Sequence, residues 1–205
     1  MYLLSERDGD DYLSYPHPIA LSIAAEYDKM YMYINFAKVD FMNAPEAVRA
    51  AREILVCKTP MKGDCGRICG AVCCSPDETG NGGKLLFPGE EKLYDPLPEG
   101  FRILPDDSVI PDGFLLTCAG RCERTMRPLS CMFFPIRPTF KGDVRIDRRG
   151  LSTCPLAEYG IGGLDSEFVR AAREAAQVLA SCDEIKEYLR ALGAYIKRVQ
   201  EASRL

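Results

Sequence analysis

Hydrophobic positions recur at helical spacing in two parts of the chain. Val48, Ala51 and Leu55 fall on one face of a helix that Asn43 can cap and that Pro45 suits at its first turn. Further on, Asp165 is the expected cap of a helix with Phe168, Ala172, Ala175 and Leu179 along one stripe. Ser181 with Glu184 reads as a capping box for a second helix, whose buried face is Ile185, Leu189, Leu192, Ile196 and Val199. The two are expected to form an antiparallel hairpin that serves as packing scaffold. Residues 19–39, IALSIAAEYDKMYMYINFAKV, suit a helix overall, while Tyr31, Tyr33, Ile34 and Phe36 within them also suit a strand.

Between these parts the pattern changes. From Thr59 to about Leu164, Gly and Pro interrupt every run, and only short strands are expected, at KLLF (84–87), FRIL (101–104), GFLLT (113–117) and DVRID (143–147). TGNGGK (79–84) lacks the GxxxxGK[ST] pattern of a phosphate-binding loop and reads as a flexible turn. So long an irregular stretch is unusual in a compact domain unless bonds other than secondary structure organise it, and metal bonds are the expected ones. The fold class expected is a small, irregular α+β protein forming a single domain over 1–205: an N-terminal helical region (1–58), a cysteine-cluster region (59–164) and a C-terminal helical hairpin (165–205).

The chain has 205 residues, 47% hydrophobic and 27% charged, within the range of an ordinary globular protein. Its net charge of -4 gives no overall attraction to nucleic acid or anionic membrane. MYLLSERDGDDYLSYP does not read as a secretory signal, and no apolar run approaches the ~18 residues of a membrane span. A cytoplasmic location is therefore expected, where thiols stay reduced and clustered cysteines more often ligate metal or do redox chemistry than form bridges.

Ten cysteines in this length fall below the ~8–10% that marks disulfide scaffolds. Eight are concentrated in one stretch: Cys65, Cys69, Cys73 and Cys74 as CxxxCxxxCC, then Cys118, Cys122, Cys131 and Cys154. Thiolates are good ligands for tetrahedral Zn and for Fe-S clusters alike. A helix over 65–73 would align Cys65, Cys69 and Cys73 on one face, whereas Gly66 and Gly70 equally suit a tight loop around a metal. Disulfides and simple burial are the alternatives to metal for the eight. Cys57 and Cys182 lie in helical patterns and are expected as buried free thiols.

Basic residues gather around the second group of cysteines. Between Cys118 and Arg149 there are eight Lys and Arg against three acids, and Arg121, Arg124, Arg127 and Arg137 would lower thiol pKa values and offset thiolate charge. No nucleic-acid module accompanies this bias, so nucleic acid is not an expected partner.

Together, Cys65, Cys69, Cys73, Cys74, Cys118, Cys122, then RPxxC at Arg127, Pro128 and Cys131, Phe134-Pro135, and Cys154 followed by Pro155 resemble the YkgJ-like family of zinc- or iron-chelating cysteine-cluster proteins. The resemblance spans about ninety residues and excludes the helical ends. It departs from the family in its CxxxC spacing, where members have CxxC, and in Cys122-Glu123-Arg124-Thr125, where members carry an aromatic-containing Cys-x-Ile-Tyr element. It implies that the eight cysteines are ligands of Zn or iron; between Zn and an Fe-S cluster, Zn is the first choice because it needs no redox partner. Relatives that methylate flagellin lysines share the cysteine region and are associated with Fe-S chemistry, which implies a protein-modifying enzyme as the alternative to a structural site. Metal delivery or storage is a third reading.

The remaining candidates are weaker. His17, the sole histidine, lies between two prolines and is expected as a turn or surface residue rather than a ligand. Asp95, Glu99, Asp106, Asp107 and Asp112 are expected to be solvated, and no pair of carboxylates is placed for acid-base work. A metal ion is the one partner implied, and no protein partner or catalytic residue can be named.

Overall fold

A computed structural model describes residues 42–75, 83–120 and 122–202. The Tyr-rich lead, His17, the ambiguous stretch at 19–39 and most of TGNGGK lie outside the described residues. The described part is a small, irregular α+β fold of five α-helices and two small antiparallel sheets.

Helix α1 (Ala44–Leu55) begins as expected. Asn43 accepts from the Glu46 backbone N–H, Glu46 returns the bond to the Asn43 N–H, and Pro45 occupies the first turn where its missing N–H is not needed. A single-turn helix α2 (Cys65–Cys69) and a 3-10 turn (Val72–Cys74) follow. Strands β1 (Lys84–Leu85), β2 (Arg102–Pro105) and β3 (Phe114–Thr117) form an antiparallel sheet in the order β1-β3-β2, with Leu85 opposite Leu115 and Ile103 opposite Leu116. Helix α3 (Leu129–Phe133) leads into the hairpin of β4 (Ile136–Pro138) and β5 (Val144–Ile146). Helices α4 (Ser166–Ser181) and α5 (Asp183–Ala202) complete the chain.

The most extensive packing is between α1 and α4. Ala44, Ala47, Val48, Ala51 and Leu55 on one side, and Phe168, Ala172, Ala175, Ala176 and Leu179 on the other, are almost inaccessible to solvent. Alanines on both surfaces let the backbones come close, while each fully buried Leu or Phe contributes roughly 1.5–3 kcal/mol. Asp165 caps α4 by accepting from the Glu167 and Phe168 N–H groups. Ile185, Leu189, Leu192 and Ile196 of α5 are buried as their spacing predicts, whereas Val199 is 39% exposed.

Two local expectations, the Ser181 capping box and the burial of Cys57, need correction. Ser181 belongs to the last turn of α4, where its hydroxyl donates to the Val178 carbonyl, so it forms no capping box with Glu184. Cys182 alone separates α4 from α5, and α4 packs more extensively on α1 than on α5. Cys57 lies past the end of α1 and is exposed; Cys182 is buried, as expected.

Residues 83–117 also prove better organised than their Gly and Pro content suggests. Leu86, Tyr94, Phe101 and Leu116 form a second small core, with the Tyr94 and Phe101 rings 5.8 Å apart. Glu90, wholly buried, ties this unit to its surroundings. Its carboxylate accepts from Arg52 Nη1 of α1 at 2.9 Å, from the Leu129 N–H of α3 at 2.7 Å and from the Phe87 N–H at 3.1 Å. Burial raises its pKa, and those N–H donors and Arg52 hold the rise back. Arg52 also donates to Tyr94 Oη and to the Thr125 carbonyl, binding the stretch before α3 to α1.

Candidate metal centre

The first four cysteines sit on a short, sharply turned segment. Asp64 caps α2 by accepting from the Gly66 N–H, and the helix ends after one turn because Gly70 takes the left-handed conformation (φ 68°). Ala71 follows in the same region (φ 56°), which is strained for a residue with a Cβ; strain of this kind gathers where function holds a backbone in place. The helix therefore does not run on to Cys73. Cys65 and Cys69 share α2, with the Cys69 thiol donating to the Cys65 carbonyl, while Cys73 and Cys74 are carried round the corner on the 3-10 turn with sulfurs 4.0 Å apart.

The other four come from separate places. Cys118 follows β3 and is exposed; Cys122 precedes the 3-10 turn Arg124–Met126; Cys131 lies in α3; Cys154 immediately precedes the 3-10 turn Pro155–Tyr159. All eight are free thiols. Among the described residues, no three Cys, His, Asp or Glu side chains stand together as a ready metal-ligand group.

The eight nevertheless act on one another electrostatically. Burial raises the Cys65 pKa, and Cys69 and Cys154 add to the rise. Burial pushes Cys131 up to about 12, with Cys74, Cys122 and Cys118 contributing and Lys84 opposing. Cys122 is raised by burial against the pull of Arg127, which donates to it. Cys73 behaves differently: its hydrogen bond with Cys74 lowers its pKa, helped by Lys84, and Cys74 is raised strongly in return. Arg127, whose pKa burial alone would lower, is raised on balance by Cys122, Cys74 and Cys131.

A cleft of about 140 Å³ opens onto this group. Cys65, Cys69, Cys73, Cys131 and Cys154 line it beside Arg124 and Arg127, and its remaining walls are largely apolar, including Ile68, which is 71% exposed. Of the predicted basic residues, Arg127 donates to Cys122 and Arg124 lines the cleft; Arg137 does not line it, and Arg121 lies outside the described residues.

Sequence reasoning missed two residues that shape the site. Lys84 acts on Cys73, Cys74 and Cys131 and lies over the Phe134 ring at 4.8 Å, and Glu90 anchors the first residue of the helix that carries Cys131. Neither stands in a recognisable motif. Comparison with protein-family models, curated proteins and solved structures finds no match for this chain.

Proposed function

We propose that the chain is a metal-binding protein whose cysteine thiolates hold Zn or, as second choice, an Fe-S cluster. The observation that carries this reading is that Cys65, Cys69, Cys73, Cys131 and Cys154, unpaired and brought from separate parts of the chain, line one cleft with Arg127, while Cys74, Cys118 and Cys122 act on Cys131 beside it and Lys84 acts on Cys73 and Cys131. A soft, all-sulfur donor set suits these metals, and nearby cations offset the negative charge of several thiolates. Cys73 and Cys74 connect the thiol of Cys65 to those of Cys122 and Cys131, so the thiols make one linked group, with Arg127 acting on Cys65, Cys74 and Cys122.

The test is elemental analysis with an absorption spectrum on anaerobically purified protein, repeated for Cys73→Ser and Cys131→Ser. Stoichiometric Zn without visible absorption supports the first choice, and iron with sulfide and a brown colour the second. The variants are expected to lose metal and melting temperature together, because metal binding contributes folding free energy. Metal-free wild-type protein, or unchanged metal content in both variants, would remove the reading.

The apolar cleft beside Cys73 and Arg127 favours a second reading, in which the centre belongs to a protein-modifying enzyme. A closed structural site leaves Cys73 inert to iodoacetamide in metal-loaded protein. A centre open to the cleft leaves it reactive.

A further inference from the structure

The thiols account for only part of the basic bias between Cys118 and Arg149. Arg124 and Arg127 face the cysteine cleft, but Arg137, Lys141 and Arg145 line a second one, of about 330 Å³, completed by Arg190 and Lys197 of α5. No residue is shared between the two clefts, and no carboxylate lines the second among the described residues.

Packing does not explain three features of this place. In the β4–β5 hairpin Arg137 stands directly opposite Arg145, and like charges so placed destabilise a strand pair. Arg137 Nε is buried without a hydrogen-bond partner, the one side-chain atom of that kind among the described residues, and orphaned buried donors call for an explanation. Finally, Gly193 weakens the middle of α5, yet nothing lies within 4 Å of where its Cβ would be, so crowding does not demand it. Its missing side chain leaves a gap between Arg190 and Lys197, which lie on the same helix face.

The neighbouring carboxylates are already engaged. Glu187 pairs with Arg190, Glu201 with Lys197 at 3.8 Å and Asp143 with Arg173 at 3.6 Å, while both oxygens of Asp147 accept from Arg149. Arg137, Lys141 and Arg145 form no salt bridge among the described residues. Phe140 lies beneath Arg190 and Lys141, at 5.2 and 5.9 Å from its ring centre.

We propose that this cleft binds a small, multiply charged anion of the phosphate class, with Arg137 and Arg145 on its oxygens and Arg190 and Lys197 closing it from the helix side. Guanidinium forks match phosphate oxygens in pairs, and an anion between Arg137 and Arg145 turns their repulsion into shared attraction and supplies an acceptor for the orphaned Nε. A tetrahedral anion offers oxygens to forks from two sides, where a single carboxylate fills one. The volume lies near the lower end of the ~300–1,000 Å³ of small-molecule pockets, which favours a phosphoryl compound over a polymer. This inference is independent of the cysteine centre.

The test is isothermal titration of the full chain at fixed ionic strength with inorganic phosphate, pyrophosphate and glycerol 3-phosphate. The expected result is saturable one-to-one binding that Arg145→Gln and Arg137→Gln each weaken by about tenfold or more. Arg170→Gln, on an exposed face of α4, should leave it unchanged. Tightest binding of the ester assigns an organic phosphate and tightest binding of an inorganic ion a free one; either sustains the site. Arg145 is exposed, so its variant should fold even if Arg137→Gln does not. Absence of saturable binding, equal weakening by Arg145→Gln and Arg170→Gln, or tighter binding of a single-stranded oligonucleotide than of pyrophosphate overturns the proposal.

Discussion

Replacing Glu90 by Leu removes a carboxylate at the meeting point of α1, the small sheet and α3 while keeping side-chain volume similar, so the cost reports lost polar partners rather than a cavity. Three donors lose their acceptor: Arg52 Nη1, Leu129 N–H and Phe87 N–H. Glu90 is inaccessible to solvent and the Arg52 side chain only 12% exposed, so water cannot readily take the carboxylate's place. Removing one partner of a buried ion pair costs about 3–5 kcal/mol, and each orphaned buried N–H about 1–3 kcal/mol, penalties that overlap in part. A loss of at least about 4 kcal/mol is expected, a large share of the ~5–15 kcal/mol that holds a domain together. Urea unfolding followed by far-UV circular dichroism measures it, and adding Arg52→Met gives the double-mutant cycle. The double variant no longer holds an unpaired guanidinium, so its cost should fall short of the sum of the two singles by about 2 kcal/mol. A Glu90→Leu cost under about 1 kcal/mol, or strict additivity, would refute the assignment of Glu90 as the buried tie between these elements.

Asp147 is held below the ordinary carboxyl range: burial alone would raise it, but the Arg149 guanidinium, donating to both oxygens, outweighs burial. Its contribution is present above the unfolded pKa near ~4 and is lost as pH falls through the lower folded value, so Asp147→Asn should flatten the loss of stability below about pH 4 in a pH series of urea melts. Arg149 is partly exposed, so the cost at neutral pH should be modest, about 1–2 kcal/mol. Gly89→Ala should cost about 2 kcal/mol or more in the same assay, since φ is +79° and the new Cβ would lie 2.6 Å from Pro45 Cγ. In metal-free protein, timed iodoacetamide labelling read by peptide mass spectrometry should modify Cys57, Cys118 and Cys73 before Cys74 and Cys131. Equal rates for Cys73 and Cys74 would contradict the opposite directions in which their contact shifts the two thiols.

What was legible in the sequence was local. Asn43 and Asp165 announce their helices because a cap acts on N–H groups two or three residues away, and the four expected strands appear, three of them trimmed and the second shifted one residue on to Arg102–Pro105. Strand β4 was not foreseen because Ile-Arg-Pro is short and ends in a proline; it is set by pairing with Val144–Ile146. The apolar period of α1 stops at Leu55, so Cys57 had no partner to bury it. Ser181 offered the right residue for a cap, but α4 takes it in as its last residue and claims its hydroxyl. Glu90, in a run of charged residues, has no local sign of burial, since its partners Arg52 and Leu129 lie 38 and 39 residues away.

The same distinction decides what a metal would have to organise. The irregular middle pointed to metal bonds as its organiser because no periodic element was visible from 59 to 164. Much of that stretch has other means of support: a three-stranded sheet closes over Leu86, Tyr94, Phe101 and Leu116, and Glu90 and Arg52 fasten it to α1. These rest on apolar burial and on hydrogen bonds within the chain, which require no ion. The segments without such support are those that carry most of the thiols. Residues 65–74 contain no buried side chain and turn through the strained corner at Ala71, and Cys118 lies exposed beyond the end of β3. A cation would therefore act on the margins of a scaffold that already places Cys131 and Cys154. If these thiols hold a metal, coordination would have to draw the exposed ligands toward Cys131 and Cys154, since among the described residues they do not stand at ligand spacing.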